Sequence, residues 1–259
     1  MKCYATQIGN CGGGLSKEHY ISASVLKIAG SSIEIAGFPW QQRDEVSRLS
    51  VSALTARILC KHHNEQLSSL DAVAKHFLIG LKATSDEITQ GELSHSTFQL
   101  SGLDLELWFL KVLIGVLSMR RIDVPPTWVN ILFRRESWSE GSGLYFFGAP
   151  GEARWRFQLV RMILVKLTGD PARIAGAKFG IGGLAMLLSF GTPRFAECGM
   201  ESLYRPKSLT FEKNAKQNTF NLDWNDQLPH GSVVLRETTP SSKSDPARHI
   251  VAPFDKFTG

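Results

Sequence analysis

A chain of 259 residues is long enough for one large domain or two modest ones. Its 43% hydrophobic and 20% charged residues describe a folded globular protein and exclude a disordered one, and the longest apolar run, Leu107 to Met119, is broken by Lys111 and too short to span a bilayer. A net charge of +5, with a pI near 9.1, is mildly favourable to a polyanionic partner without requiring one.

Residues Met1 to Gly14 read as a loop carrying Cys3, Cys11 and the triplet Gly12-Gly13-Gly14. No apolar leader follows Met1-Lys2-Cys3, so the expected location is the cytoplasm. Lys17 to Ile21 is a short candidate strand with His19 and Tyr20 on opposite faces. Ser22 to Ser50 is a mixed connector, expected to be an excursion from the core. Val51 to Ile58 alternates loosely as a half-buried strand, and Leu67, Leu70, Val73, Ala74, Phe77 and Leu81 then recur at helical spacing. The junction between them, Ile58 to Asp71, gathers a thiol, two imidazoles, an amide and two carboxylates. Ser68 and Asp71 there are expected to cap or brace the helix.

Ala83 to Ser101 is polar and reads as a boundary or surface excursion. A helical stripe from Leu103 to Leu117 follows, on which Trp108 should pack and Glu106 should be solvated. Trp128 to Phe133 adds a turn or two of helix, Gly143 to Phe147 reads as a strand, and Arg154 to Leu167 as a second amphipathic helix. Phe179 to Phe190 is an apolar, glycine-punctuated strand region; its lead-in, Gly176 to Gly183, lacks the Gly-Lys-Ser/Thr ending of a phosphate loop. Leu209 and Phe211, then Phe220, Leu222 and Trp224, alternate across an Asn214 to Asn218 turn and give the strongest hairpin signal. Val233 to Leu235 is a further strand, and Pro240 to His249 is expected to be exposed. There is no internal repeat.

Four cysteines, at positions 3, 11, 60 and 198, are too sparse for a disulfide framework, and the placement of three of them near histidines favours a metal. Cys198 stands apart as a plain thiol.

Glu18-His19 on the first strand and Cys60-Lys61-His62-His63-Asn64 at the strand-to-helix junction together resemble the HNH endonucleases, the ββα-metal or His-Me finger group. The resemblance covers the first third of the chain. It implies a ββα-metal module at residues 1–83 and says nothing about the rest, where the helical and strand signals give an accessory domain of helices and antiparallel strands at 84–259; the chain as a whole reads as α+β. The resemblance implies metal-dependent hydrolysis of phosphodiester bonds, in DNA before RNA, with no membrane partner. His19 would activate water, and Glu18 and Asn64 would hold a catalytic Mg2+ or Mn2+. Cys3, Cys11, Cys60 and His63 would hold a structural zinc. The register leaves His63, or His62, as alternatives to Asn64 at the catalytic ion. Two features depart from the family: Cys3 and Cys11 are widely spaced, and Thr55 stands where the family's middle asparagine would fall. The competing expectations are a zinc-stabilised nucleic-acid-binding module without catalysis, and a small-molecule enzyme built on the second part.

Overall fold

The computed structural model describes residues 2–146, 159–167, 169–182, 184–193, 204–228 and 230–236. Within them the fold is mixed α+β, with three sheets. The first is a two-stranded ribbon. Strand β1 (Leu15–His19) pairs antiparallel with a later strand, Thr55–Cys60, in a register that sets Leu15 opposite Cys60 and His19 opposite Thr55. Between them lie helix α1 (Ala23–Ala29) and two further strands, β2 (Ser32–Ala36) and β3 (Val46–Ser50). The ribbon's second strand is therefore β4, preceded by a 3-10 turn at Val51–Ala53.

The stretch from Ser22 to Ser50 is thus no excursion. Ile33 and Ile35 alternate along β2 and are almost wholly buried, as is Phe38 just beyond. The alternation spans only two isoleucines, too few to stand out against the glycine and serine around them.

After β4 the chain enters a short helix, α2 (Lys61–Gln66), breaks at Leu67 and continues as α3 (Ser68–Gln90). Gly91 ends α3 in the left-handed conformation, its backbone N–H closing onto the last turn. Strand β5 (Thr97–Ser101) then leads into α4 (Gly102–Met119), where the Ser101 hydroxyl caps the helix by accepting from the Asp104 N–H. Helix α4 is buried on nearly every side, which places it at the centre of the core. Glu106 is completely buried on it, against expectation, because Arg205 grips both carboxylate oxygens at 2.7 and 3.0 Å. Helix α5 (Pro126–Leu132) follows.

The remaining strands are β6 (Gly143–Phe146), β7 (Leu159–Leu167), β8 (Asp170–Ile181), β9 (Leu184–Ser189), β10 (Ser208–Lys213), β11 (Lys216–Asp223) and β12 (Ser232–Arg236). Segment 159–167 is a strand, where the sequence suggested the end of a helix; residues 154–158, Cys198 and the segment 240–249 lie outside the described residues. Its β-branched Val160, Ile163 and Val165 suit a pleated surface, and pairing on both sides, with β2 and β8, overrides the helical stripe. The six-stranded sheet runs β3-β2-β7-β8-β9-β6 and the four-stranded one β12-β10-β11-β5. The β10–β11 hairpin is as read from the sequence, with Asn214 and Ala215 both at positive φ in a two-residue turn.

The boundary expected at 83/84 falls inside the continuous helix α3. Strands from both sides of it share the six-stranded sheet, where β2 lies parallel to β7 with Glu34 opposite Leu159. One hydrophobic cluster runs from Cys3 and Ala5 to Trp224 and Val233.

Candidate metal centre

Three pieces of chain meet at the end of the ribbon. The N-terminal segment runs beside β4, held by the Tyr4 N–H donating to the Ile58 carbonyl at 3.0 Å, and delivers Cys3. A loop after the 3-10 turn Thr6–Ile8 delivers Cys11. The last residue of β4 is Cys60, which stands just before the first residue of α2, and His63 sits one turn further along that helix.

The glycine triplet makes this junction possible. Carbonyls of Gly12 and Gly14 accept from the backbone N–H groups of His62 (3.4 Å) and Lys61 (3.1 Å), clasping the otherwise unpaired first turn of α2. Gly13 between them has φ of +73°, and a Cβ there would stand 2.9 Å from the Lys61 Cβ. Only glycine meets both demands.

Sulfurs of Cys3, Cys11 and Cys60 lie 3.5, 3.7 and 3.3 Å from Nδ1 of His63, and all four ligand atoms fall within 4.8 Å of one another. A neutral imidazole nitrogen has one lone pair and cannot accept from three thiols at once. Metal–sulfur bonds of about 2.3 Å and metal–nitrogen bonds of about 2.0–2.1 Å at tetrahedral angles give sulfur–nitrogen edges of about 3.6 Å. The three separations bracket that value. The cluster can hold a metal ion, and its three thiols and one imidazole are the donor chemistry of a closed zinc site.

Burial and hydrogen bonding act differently on the donors. Burial pushes the Cys3 thiol up to about 11. Burial acts the same way on Cys60, but the backbone groups of His63 and Gly12 and the two neighbouring thiols outweigh it and hold Cys60 below the ordinary thiol value. Burial also lowers His63, partly offset by the Gly9 backbone, and so keeps the ring in the neutral form that ligates. Phe133 closes the outer side, edge-on to the His63 ring at 5.2 Å between centroids.

Of the other residues singled out from the sequence, His63 is fully buried and directs Nδ1 into the sulfur cluster. His62 and Asn64 are half-buried on α2, and the His62 Nε2 lies 3.1 Å from the Gln66 amide nitrogen. Glu18 and His19 are half-buried at the far end of β1, three and four residues from the Leu15–Cys60 pair and so about 10 and about 13 Å along the strand. A bulge precedes Glu18, and His19 is the last residue of the strand, the two circumstances that relax the rule of alternate faces. Burial lowers the His19 pKa; the Val51 backbone and Glu18 offset part of that, and Lys27 and Lys17 add to it. Its Nε2 is buried without hydrogen-bond geometry to any described residue. The Thr55 hydroxyl opposite it donates to the Ser52 carbonyl at 3.2 Å, bracing the turn between β3 and β4.

Asp71, expected to cap or brace its helix, instead links three elements near this region. Asp71 accepts from Lys111 through both oxygens at 2.8 Å and also from the Ser22 hydroxyl, which in turn accepts from Trp108 Nε1 at 3.0 Å. Ser22 lies three residues past His19, so α3 and α4 jointly fix the chain where it leaves β1. A lysine inside an apolar stripe was the available signal.

Compared with known protein families, with curated proteins and with solved structures, the chain matched none.

Proposed function

We propose that this protein is a metal-dependent nuclease of the HNH type that hydrolyses phosphodiester bonds, in DNA before RNA. The observation that supports it most is the ribbon itself. Two antiparallel strands lead directly into a helix, and the cysteine–histidine cluster ties them together at the base. Glu18-His19 lies on the first strand and Asn64 on the helix, in the order the resemblance expects.

In this reading His19 takes the proton from the attacking water. Its depressed pKa leaves the imidazole neutral at physiological pH, the state a general base needs. The Nε2 is a buried polar atom without a partner among the described residues, open to the attacking water. Glu18 and Asn64 would hold a divalent ion, which when bound supplies positive charge to the phosphate and the leaving oxygen. Thr55 braces the turn beside His19, a task given to asparagine in the family. The Cys3–Cys11–Cys60–His63 centre keeps β4, α2 and the N-terminal segment in register and takes no part in the chemistry.

Supercoiled plasmid incubated with the full chain and Mg2+ or Mn2+ is the direct test. Nicking by the parent and its loss in His19→Ala is the expected result. A parent that binds DNA but never cuts it with either ion would leave the binding-module alternative in its place.

A further inference from the structure

The bulge in the ribbon sets two residues of β4, Arg57 and Ile58, against one of β1, Lys17. Ile58 turns into the core, whereas Arg57 and Lys17 both stand in solvent. Neighbouring strands lie about 5 Å apart, so two positive side chains rise next to each other from one short ribbon. Like charges in that position destabilise a strand pair. Neither residue has an ion-pair partner among the described residues.

A third cation belongs to the group. Lys27 on α1 is exposed and equally unpaired, and both it and Lys17 are close enough to act on the His19 ring. Glu18 acts on the same ring but makes no ion pair with any of the three. Lys17 and Lys27 therefore act on His19 from two different elements, and Arg57 stands against Lys17 across the bulge. Bulges re-aim side chains beside functional sites, and this one carries the pair of charges outward.

We propose that Lys17 and Arg57 on the β1–β4 ribbon, with Lys27 on the neighbouring helix α1, form a phosphate track that holds a nucleic-acid backbone across His19. The track rests on the nuclease reading for what happens to the bound strand, but its own content is binding. It makes no base contacts, so it is indifferent to sequence. Phosphate contacts of this kind are made by duplex and by single-stranded nucleic acid alike.

The test is fluorescence anisotropy with a labelled 20-base-pair duplex and with one of its strands, without divalent ions, over a series of KCl concentrations. The full-length parent is compared with Lys17→Ala, Arg57→Ala, Lys27→Ala and Lys216→Ala, the last removing an exposed charge from the β10–β11 turn. Each of the first three should weaken binding uniformly across sequences. Each should also lower the slope of log K against log salt by about 0.9 for duplex or about 0.7 for single strand. Lys216→Ala should match the parent. All four side chains are exposed, so melting temperatures should not move.

Slopes unchanged in Lys17→Ala and Arg57→Ala would overturn the track. So would equal dependence on these residues in binding to phosphatidylserine vesicles, which would make the surface a membrane contact. A parent that binds through these residues yet never cuts removes the nuclease reading and keeps the track. A parent that cuts, with kcat/KM unchanged in Lys17→Ala and Arg57→Ala, removes the track and keeps the nuclease.

Discussion

Cys60 serves two purposes in one position: it joins β4 to α2 and contributes a sulfur to the cluster. Replacing it with serine keeps the size of the side chain but removes a soft ligand. Cys60→Ser should therefore lose its bound zinc, read by elemental analysis of the purified protein, and melt at a lower temperature. Full zinc content in that variant would mean the cluster is not the site. His19→Ala has the opposite profile. It should keep zinc and melting temperature while cleavage falls by about 10²- to 10⁴-fold, the usual contribution of a general base. Asn64→Ala should instead raise the Mg2+ concentration needed for half-maximal cleavage, and Tyr20→Phe should cleave as the parent does. The cluster was legible in the sequence because three cysteines and a histidine are chemically rare together. The role of Asp71 was not. The sequence reading made it a brace for its own helix, whereas its partners Lys111 and Ser22 come from α4 and from the turn before α1. No spacing rule links those positions.

Helix α4 illustrates what can be read of a whole element and what cannot. Its apolar stripe gives its existence and length, but not that the opposite face is buried too. Two charged residues on the flanks of the stripe survive burial because each finds a partner, Glu106 in Arg205 and Lys111 in Asp71. Burial raises the Glu106 pKa, against the pull of Arg205 and the Leu144 N–H. Arg205→Met should destabilise the protein by about 3–5 kcal/mol in urea unfolding, because it strands a carboxylate in the core. The double variant Glu106→Gln, Arg205→Met should recover much of that loss; equal losses in both would show that the arginine matters for its stacking on Tyr204 and Trp224. Helix α3 offers a pH test. Burial would raise Glu87, but hydrogen bonds from Asn218 and Ser94 outweigh it and hold its carboxyl below the ordinary value. A carboxyl depressed by folding stabilises the protein above its unfolded value, near 4.5, and that contribution is lost as pH falls through the folded value. Glu87→Gln should flatten the stability curve on its acid side and leave its slope above neutrality unchanged. Strand β7 was misread for a related reason. Its apolar residues satisfy a helical period as well as an alternating one, and the decision is made by β2 and β8, which no local window contains.

At the scale of the whole molecule, early and late segments of the chain share one sheet. The ribbon and its metal centre belong to the first third, but β2 and β3 complete a sheet whose other strands come after residue 140. No membrane-crossing helix is found among the described residues. Fragment 1–83 expressed alone should fail to give a cooperative melt even with zinc, since β2 would lack β7 and α3 would be cut within its length. A cooperative, zinc-dependent melt from that fragment would show that the ribbon and cluster suffice.

The parallel pairing of β2 with β7 also imposes an order on biosynthesis. Once His63 has left the ribosome, all four cluster ligands are present, and the ribbon can be locked while most of the chain is still unmade. The β2–β3 hairpin, with Ile33 and Ile35, must then wait with one edge unpaired until Leu159 and its neighbours are translated. During that interval the nascent chain presents an apolar strand edge to every other chain in the cell. Its yield on expression should consequently depend on how fast the ribosome reaches β7 and on whether a chaperone covers β2 in the meantime.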